Sequence, residues 1–223
     1  MPYRKSKIVL IYFFLFLLIG TLNNKDLNNF DLMKLNEIIV NGLDEKNNLE
    51  LVNNIDSLNI SNLFFLNKVQ IKEIINSNSL VENYQIFKRY PSTLIVKIDK
   101  TKFLAQIKKE NNNFFLGSNG KFIKSSKVKN DIPFIFGNFE VLNFFQLKEA
   151  IDESNFDYNQ IKNLFFFKSG RWDIETYDGL LIKLPRNHIK ASLKLLDVFL
   201  NEQKNQKIYK IDLRQKNQII IDG

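Results

Sequence analysis

The sequence predicts an α+β protein with two folded parts behind a single N-terminal transmembrane helix. Three observations predict this class. Residues 8–22 form an uncharged apolar run, residues 37–98 show strand and helix patterns in a compact order, and residues 102–223 hold short strand patterns separated by turn signals. We expect the last part to be an antiparallel β-rich domain with covering helices.

The start of the chain predicts a membrane anchor. The run from Ile8 to Leu22 includes Phe13, Phe14 and Leu17, carries no charge, and follows a basic tip at residues 1–7. As a helix it spans about 22 Å, and snorkelling lysines with local thinning fit it to a roughly 30 Å hydrocarbon core. The positive-inside rule then places residues 1–7 in the cytoplasm and the bulk of the chain across the inner membrane, in the periplasm. Residues 23–34 are a polar linker.

A cleaved signal peptide is the alternative interpretation of the same run. Cleavage needs small residues three and one positions before the cut. Residues 18–26 read LIGTLNNKD and offer no such site, which favours a retained anchor.

The first folded part is predicted at residues 35–101. A strand at Glu37–Val40 ends at the turn signal Asn41-Gly42, and apolar residues spaced three to four apart predict two helices around residues 49–58 and 69–75. Strand patterns follow at residues 80–90 and 94–98, separated by a turn at Pro91-Ser92. The order of strand, helix, helix, strand, strand predicts helices on one face of a short sheet.

The second folded part is predicted at residues 102–223. Ser118-Asn119-Gly120 indicates a hairpin, Asp178-Gly179 indicates a two-residue hairpin turn, and Pro185 is expected to open a helix. That helix has an apolar face widened by Val198. The remaining elements are a helix at 143–154 and strands at 164–168, 171–177, 180–184, 208–213 and 218–222. We interpret the set as a meander of antiparallel strands with a covering helix.

Composition limits the function. The chain has no cysteine, so a disulfide, a thiolate nucleophile or a cysteine metal site is excluded. The net charge is +8, but the lysines are scattered without a basic stripe, so we expect no nucleic-acid partner.

The polar residues do not indicate catalysis or metal binding. His188 is the only histidine and is interpreted as a surface residue at a helix start, because it has no second imidazole to complete a metal site or triad. Asp173 and Glu175 share a strand face and are interpreted as solvated, while Trp172 is interpreted as a core residue. We therefore expect no enzyme activity, no cofactor and no metal.

Two groups of motifs, in this order, resemble a known family. The first part contains Val40-x-Gly42, Asn62-Leu63-Phe64 and Arg89-x-Pro91-Ser92-x-Leu94, and it resembles a POTRA domain. The second contains Gly170-Arg171-Trp172, Leu184-Pro185 and Ile211-Asp212-Leu213-Arg214. Behind one basic-tipped anchor, the whole chain resembles the FtsQ/DivIB family of bacterial cell-division proteins. Lys100 and Phe103 stand where relatives often carry Glu and Pro.

The resemblance implies a scaffold of the division machinery. Members of this family bind an FtsB/FtsL-type partner, which adds a strand along the last strand of the chain. The resemblance further implies that other division proteins bind the POTRA-like part. The implied partner-binding residues are Arg214, Gln215, Gln218, Ile219, Ile220, Ile221 and Asp222. For Arg214 a plain surface ion pair with Asp212 or Glu202 is the alternative. The apolar residues 219–221 independently predict an edge that needs a partner strand.

Two other functions compete with the scaffold. One is a POTRA module of an envelope assembly or secretion system, which would carry a long further series of alternating strands. The other is an anchored periplasmic enzyme, which would need polar residues that converge in a pocket. The sequence shows neither feature.

Overall fold

The computed structural model describes residues 3–22, 34–60, 63, 66–126, 128–202, 208–216 and 218–222. The chain divides into two compact units. Unit 1 comprises Met1–Ser77 and Tyr84–Asp99, and unit 2 comprises Asn78–Asn83 and Lys100–Gly223.

The N-terminal helix α1 spans Tyr3–Leu22 and begins five residues before the predicted apolar run. Its anchor side chains Ile8, Phe13, Phe14 and Leu17 are exposed. Within the described ranges, no helix combines the length and the hydropathy needed to cross a membrane. The transmembrane span therefore stays a prediction.

The predicted element order of the first folded part is confirmed. Strand β1 (Glu37–Asn41) is followed by helices α2 (Glu45–Asp56) and α3 (Lys68–Ser77) and by strands β2 (Val81–Arg89) and β3 (Thr93–Lys100). The three strands form a small sheet in the order β1-β3-β2, in which β1 and β3 are parallel. The predicted turn at Gly42 has φ +121°, and a Cβ there would lie 1.8 Å from the Ile98 carbonyl oxygen, so only glycine fits.

The core of unit 1 joins both helices to the sheet. Each helix buries a pair of residues four positions apart, and β3 supplies the residues beneath them. These residues are Leu51, Ile55, Ile71, Ile75, Leu94 and Val96. Leu49 and Val69, which also fit the predicted apolar spacing, are more than half exposed, because they lie off the buried stripe of each helix.

Unit 2 alternates strands with two helices. The elements are β4 (Phe103–Lys109), β5 (Asn112–Gly117), β6 (Phe122–Ser125), β7 (Phe134–Phe136), α4 (Val141–Asp152), β8 (Ile161–Phe166), β9 (Trp172–Thr176), β10 (Leu181–Lys183), α5 (Ile189–Glu202), β11 (Lys210–Asp212) and β12 (Ile220–Asp222). Among the described residues the strands form one large sheet of nine, in the order β12-β11-β10-β9-β8-β7-β4-β5-β6.

The large sheet is mixed, so the predicted antiparallel meander is wrong in part. The pairs β4–β7, β7–β8 and β10–β11 are parallel, while the other described pairs of the large sheet are antiparallel. Helices account for two of the three parallel pairs, β7–β8 and β10–β11. Helix α4 carries the chain from β7 to β8 and α5 carries it from β10 to β11, and a helical crossover returns the chain to the same end of the sheet.

One face of the large sheet is the core of unit 2. Paired residues on adjacent strands point to the same face. A row of paired isoleucine and leucine residues crosses six strands on this face: Ile135, Leu164, Ile174, Ile182, Ile211 and Ile221. All but the last are buried and share a cluster with Leu147 of α4 and Leu193 and Leu196 of α5. Trp172 joins the same cluster, which confirms its predicted core position.

Three local predictions in unit 2 are wrong. The β9–β10 turn has three residues rather than two, since the Thr176 N–H donates to the Leu180 carbonyl at 3.0 Å, and Gly179 takes φ +89° inside it. Helix α5 begins at Ile189, four residues after Pro185. Val198 does not widen the buried face but is 57% exposed.

Candidate functional site at the C-terminal edge of the large sheet

Strand β12 forms one edge of the large sheet in the part of the chain that the structure describes. It pairs antiparallel with β11, where Asp212 faces Ile220 and Lys210 faces Asp222. The Lys210 ammonium donates to the Asp222 carboxylate at 3.2 Å across this short pair. The other side of β12 has no neighbouring strand among the described residues.

The edge strand is apolar and accessible. Ile220 is 53% exposed and Ile221 is 46% exposed. Ile219 differs from them, because it precedes the strand and packs half-buried against the core of unit 2. The predicted strand at 218–222 is thus confirmed in its last three residues, while Gln218 and Ile219 lie in the approach to it.

Arg214 is held by Asp212 at the end of β11. Its Nε donates to both carboxylate oxygens at 2.8 and 2.9 Å, and its backbone N–H donates to Oδ1 at 3.0 Å. The side chain of Asp212 is 10% exposed and that of Arg214 is 40% exposed. The guanidinium bonded to it holds the pKa of Asp212 below its usual value, and the backbone donor acts in the same direction. The ion pair between Arg214 and Asp212, one of the two open interpretations, is therefore present.

A second charged pair, Arg171 and Asp173, lies two strands inward on the same face. In the paired register, Asp173 of β9 faces Lys183 of β10, and Lys183 faces Asp212 of β11. Asp173 is 4% exposed, so its predicted place on a solvated face is wrong. Neighbouring strands and long side chains cover it, and sequence alternation alone does not show such cover.

The inward pair is incompletely bonded. Arg171 Nε lies 3.6 Å from Asp173 Oδ1, and both atoms are buried without a hydrogen-bond partner in the structure. Burial raises the pKa of the Asp173 carboxyl, although the charges of Arg171, Lys183 and Arg214 oppose the shift. The Arg171 guanidinium also lies 4.5 Å from the Phe167 ring centroid, in cation–π geometry.

The predicted site residues come together at this edge. Arg214 and Gln215 follow β11, Gln218 and Ile219 precede β12, and the strand itself supplies Ile220, Ile221 and Asp222. Sequence reasoning did not assign the neighbouring charges Lys210, Lys183, Asp173 and Arg171 to this site. The alternation of charged with apolar residues along β9, β10 and β11 is the signal that could have placed them on one face.

The remaining polar residues do not converge. His188 is exposed with φ +64° immediately before α5, in agreement with its predicted surface position. Asp152 pairs with Lys148 and Glu153 pairs with Lys190, so the two adjacent carboxylates have separate partners. Within the described ranges no three His, Cys, Asp or Glu side chains cluster in a way that could hold a metal ion.

Two family models and several relatives match the chain. The model of the cell division protein FtsQ/DivIB C-terminal region matches residues 105–214, and the model of the FtsQ-type POTRA domain matches residues 33–100. The chain is 24% identical over 196 residues to cell division protein FtsQ of Rickettsia bellii (strain RML369-C), covering 85% of this chain and 72% of that protein. It is 22% identical over 193 residues to cell division protein FtsQ of Rickettsia prowazekii (strain Madrid E), covering 84% and 72%.

A solved structure also matches. It is the major extracytoplasmic domain of the cell division protein DivIB from Geobacillus stearothermophilus, at 13% identity and a TM-score of 0.36, covering 49% of this chain and 99% of that one. The two family models lie in the predicted order and agree with the FtsQ relatives. The chain therefore belongs to the FtsQ/DivIB family of bacterial cell division proteins.

Proposed function

We propose that this protein is a non-enzymatic, single-pass scaffold of the bacterial division machinery that binds an FtsB/FtsL-type partner by strand addition to β12. The exposed edge carries the proposal. An unpaired strand edge offers free N–H and C=O groups, and half-exposed isoleucines beside it make the edge an aggregation hazard unless another strand covers it. Backbone hydrogen bonds would supply affinity, and alternate side chains would set the register.

Arg214 contributes a second contact to the proposed interface. A guanidinium has five N–H donors, and the bonds to Asp212 leave donors on the exposed side of the group. A partner carboxylate can therefore join the existing pair without displacing Asp212. In this role Asp212 orients Arg214 toward the edge before the partner arrives, which lowers the entropy cost of binding.

The anchor and the first unit complete the proposed scaffold. Residues 8–22 would lie in the inner membrane with residues 1–7 in the cytoplasm, and the POTRA-like unit would recruit other division proteins from the periplasm. The uncharged run behind a basic tip supports this topology. A C-terminal reporter that works only outside the cytoplasm is expected to be active. Activity of a reporter restricted to the cytoplasm would contradict the topology.

Two proline variants test strand addition. Successive N–H groups of a strand point to opposite edges, so one of Ile220→Pro and Ile221→Pro removes a donor that faces outward. That variant is expected to keep the fold and lose binding of the FtsB-type partner, measured with the full chain in detergent micelles. Ile123→Pro and Lys124→Pro, on the β6 edge at the other side of the large sheet, are the matched controls, and the one whose N–H faces outward is expected to keep the fold and bind normally.

The results distinguish partner binding at the β12 edge from binding elsewhere on the surface. If both proline variants are folded by circular dichroism and bind the partner with unchanged affinity, strand addition at β12 is wrong. Removal of residues 219–223 provides an independent check and is expected to abolish binding. Arg214→Glu is expected to weaken binding about tenfold or more at low salt, because it repels an acidic partner residue.

A further inference from the structure

A second surface of unit 2 has the features of a binding groove. A cavity of about 760 Å³ lies between α5 and the segment 213–216 that follows β11. Leu195, Val198 and Leu213 line it with apolar atoms, and Ala191 continues the same stripe toward the start of the helix. We name this feature the α5 groove.

Helix α5 carries two rows of apolar residues, one buried in the core and one that lines the α5 groove. Leu193 and Leu196 point into the core and are fully buried, whereas Val198 is 57% exposed and Leu195 is only half-buried. The second stripe contains Ala191, Leu195 and Val198, spaced four and three residues apart. It therefore forms a straight row of about two helical turns along the side of α5.

The rim of the α5 groove is basic. Arg186, Lys194 and Lys216 line it from three separate segments of the chain. Arg214 adds a guanidinium whose charge is already shared with Asp212. Among the described lining residues there is no carboxylate, so no acidic lining residue opposes the lysine and arginine charges of the rim, although Asp212, outside the lining, pairs with Arg214.

We propose that the α5 groove binds an acidic amphipathic helix of a protein partner, at a site distinct from β12. The apolar stripe matches the row of side chains that a helix presents at every third or fourth position, and ridges-into-grooves packing seats such a row beside α5. Glu or Asp residues flanking that row would meet the lysine and arginine rim. Charge complementarity thus selects an acidic partner over a basic one.

This inference goes beyond the strand addition proposed above. Strand addition uses backbone groups of β12, whereas the α5 groove uses the apolar row of α5 with Leu213, and Arg214 borders both surfaces. A division protein could occupy both surfaces, or two proteins could occupy one each. The two surfaces are separated by variants that alter one and leave the other intact.

A selection experiment tests the charge preference. A displayed library of helices of about 14 residues is prepared, with a fixed apolar stripe at every third or fourth position and randomised flanking residues. It is selected on the full chain in detergent micelles after counter-selection on empty micelles. Glu and Asp are expected to be enriched over Lys and Arg in the flanks, with weaker binding at high salt.

Matched variants locate the binding site. Val198→Asp is expected to reduce binding of the selected helix about tenfold or more, because it places a carboxylate in the apolar row. Val128→Asp is its control, since Val128 is also 57% exposed and lies outside the groove. Lys194→Glu is expected to weaken binding by a smaller factor, and Lys162→Glu, an exposed lysine on β8, is expected to have no effect.

Each outcome decides the proposal. Enrichment of acidic flanks with loss of binding in Val198→Asp, and retained binding after removal of residues 219–223, supports it. Failure to enrich any helix, enrichment of basic flanks, or equal binding to Val198→Asp and Val128→Asp overturns it. Preferential binding of anionic lipid vesicles, abolished by Lys194→Glu in place of helix binding, would also overturn it.

Discussion

Two rows of paired residues cross the large sheet side by side. They differ in residue type on most strands, but both rows end in an isoleucine on β12. The core row contains Ile135, Leu164, Ile174, Ile182, Ile211 and Ile221. The open row, shifted by one residue on each strand, contains Phe136, Phe165, Asp173, Lys183, Asp212 and Ile220. The core row is packed beneath the two helices, whereas the open row changes from stacked phenylalanines to alternating charges.

The comparison shows that β12 is chemically different from the strands it follows. On the inner strands one row is apolar and the other is aromatic or charged, as expected for a sheet with one covered face. On β12 both rows end in isoleucine, and both isoleucines are about half exposed. Each face of β12 therefore presents an isoleucine that is far more exposed than the apolar core residues of the inner strands. This contrast is the basis of the following predictions.

The largest expected effect comes from the middle of the core row. Ile182 is fully buried, so Ile182→Ala is expected to lower the free energy of unfolding of unit 2 by about 3 kcal/mol, through lost burial and a residual cavity. Urea unfolding followed by tryptophan fluorescence measures it, because the single tryptophan, Trp172, is buried in the same core. A loss below about 1 kcal/mol would mean that this row does not hold the sheet together.

The next effect comes from the charged end of the open row. Asp212→Asn is expected to cost about 1 kcal/mol at neutral pH, because it removes the charge-assisted bonds to Arg214. The folded pKa of Asp212 lies below its usual 3.8, so its contribution is present above that pH and is lost as the pH falls through the lowered pKa. Unfolding curves of the variant and the parent are expected to converge in acid. A difference that persists unchanged in acid would assign the effect to shape rather than charge.

A smaller effect of opposite sign is expected two strands inward. Burial raises the folded pKa of Asp173 above 3.8, so its ionised form costs stability above the raised pKa, and the cost disappears as the pH falls below 3.8. Asp173→Asn is expected to raise stability at neutral pH by less than about 1 kcal/mol, because loss of the charge beside the buried Arg171 Nε offsets part of the gain. Urea titration at several pH values checks it. Strong destabilisation at neutral pH would show that the pair with Arg171 outweighs the burial cost.

The smallest effect is expected at the exposed end of the core row. Ile221→Ala is expected to change the stability of unit 2 by about 0.5 kcal/mol or less, because the side chain is already 46% exposed. The same variant is expected to weaken partner binding more than it weakens the fold. If it destabilises unit 2 as strongly as Ile182→Ala, the edge strand is part of the core and the contrast between the rows fails.

Much of the fold follows from local patterns. The small sheet, both of its helices and the hairpin around Ser118-Asn119-Gly120 were predicted, since their apolar spacing and turn residues agree with the final structure. Strand β4 was missed because its buried positions include Ala105 and Gln106. Gln106 is buried only because it bonds the carbonyl oxygens of Lys129 and Ile132, at 2.5 and 3.1 Å, and the backbone N–H of Lys129. Contacts so distant along the chain leave no local pattern.

The candidate site was predicted less completely. Apolar residues at 219–221 indicated an edge, and the family resemblance indicated Arg214, but neither showed that Asp212 already holds the guanidinium. The parallel pairing of β10 and β11 places Asp212 beside Lys183, and that pairing depends on the crossover through α5. The charged row could not be predicted from the sequence, because alternation within one strand does not show which strands are neighbours or in what register they pair.

From β7 to β12 the strand order of the large sheet follows the order of the chain. From β8 onward, each strand pairs with the strand that precedes it in the chain, so these pairings are between consecutive strands. Among the described strands, β12 is the last of this series, and its outer edge has no neighbouring strand. Strand addition by a partner, as proposed above, would extend the series by one strand from a second molecule.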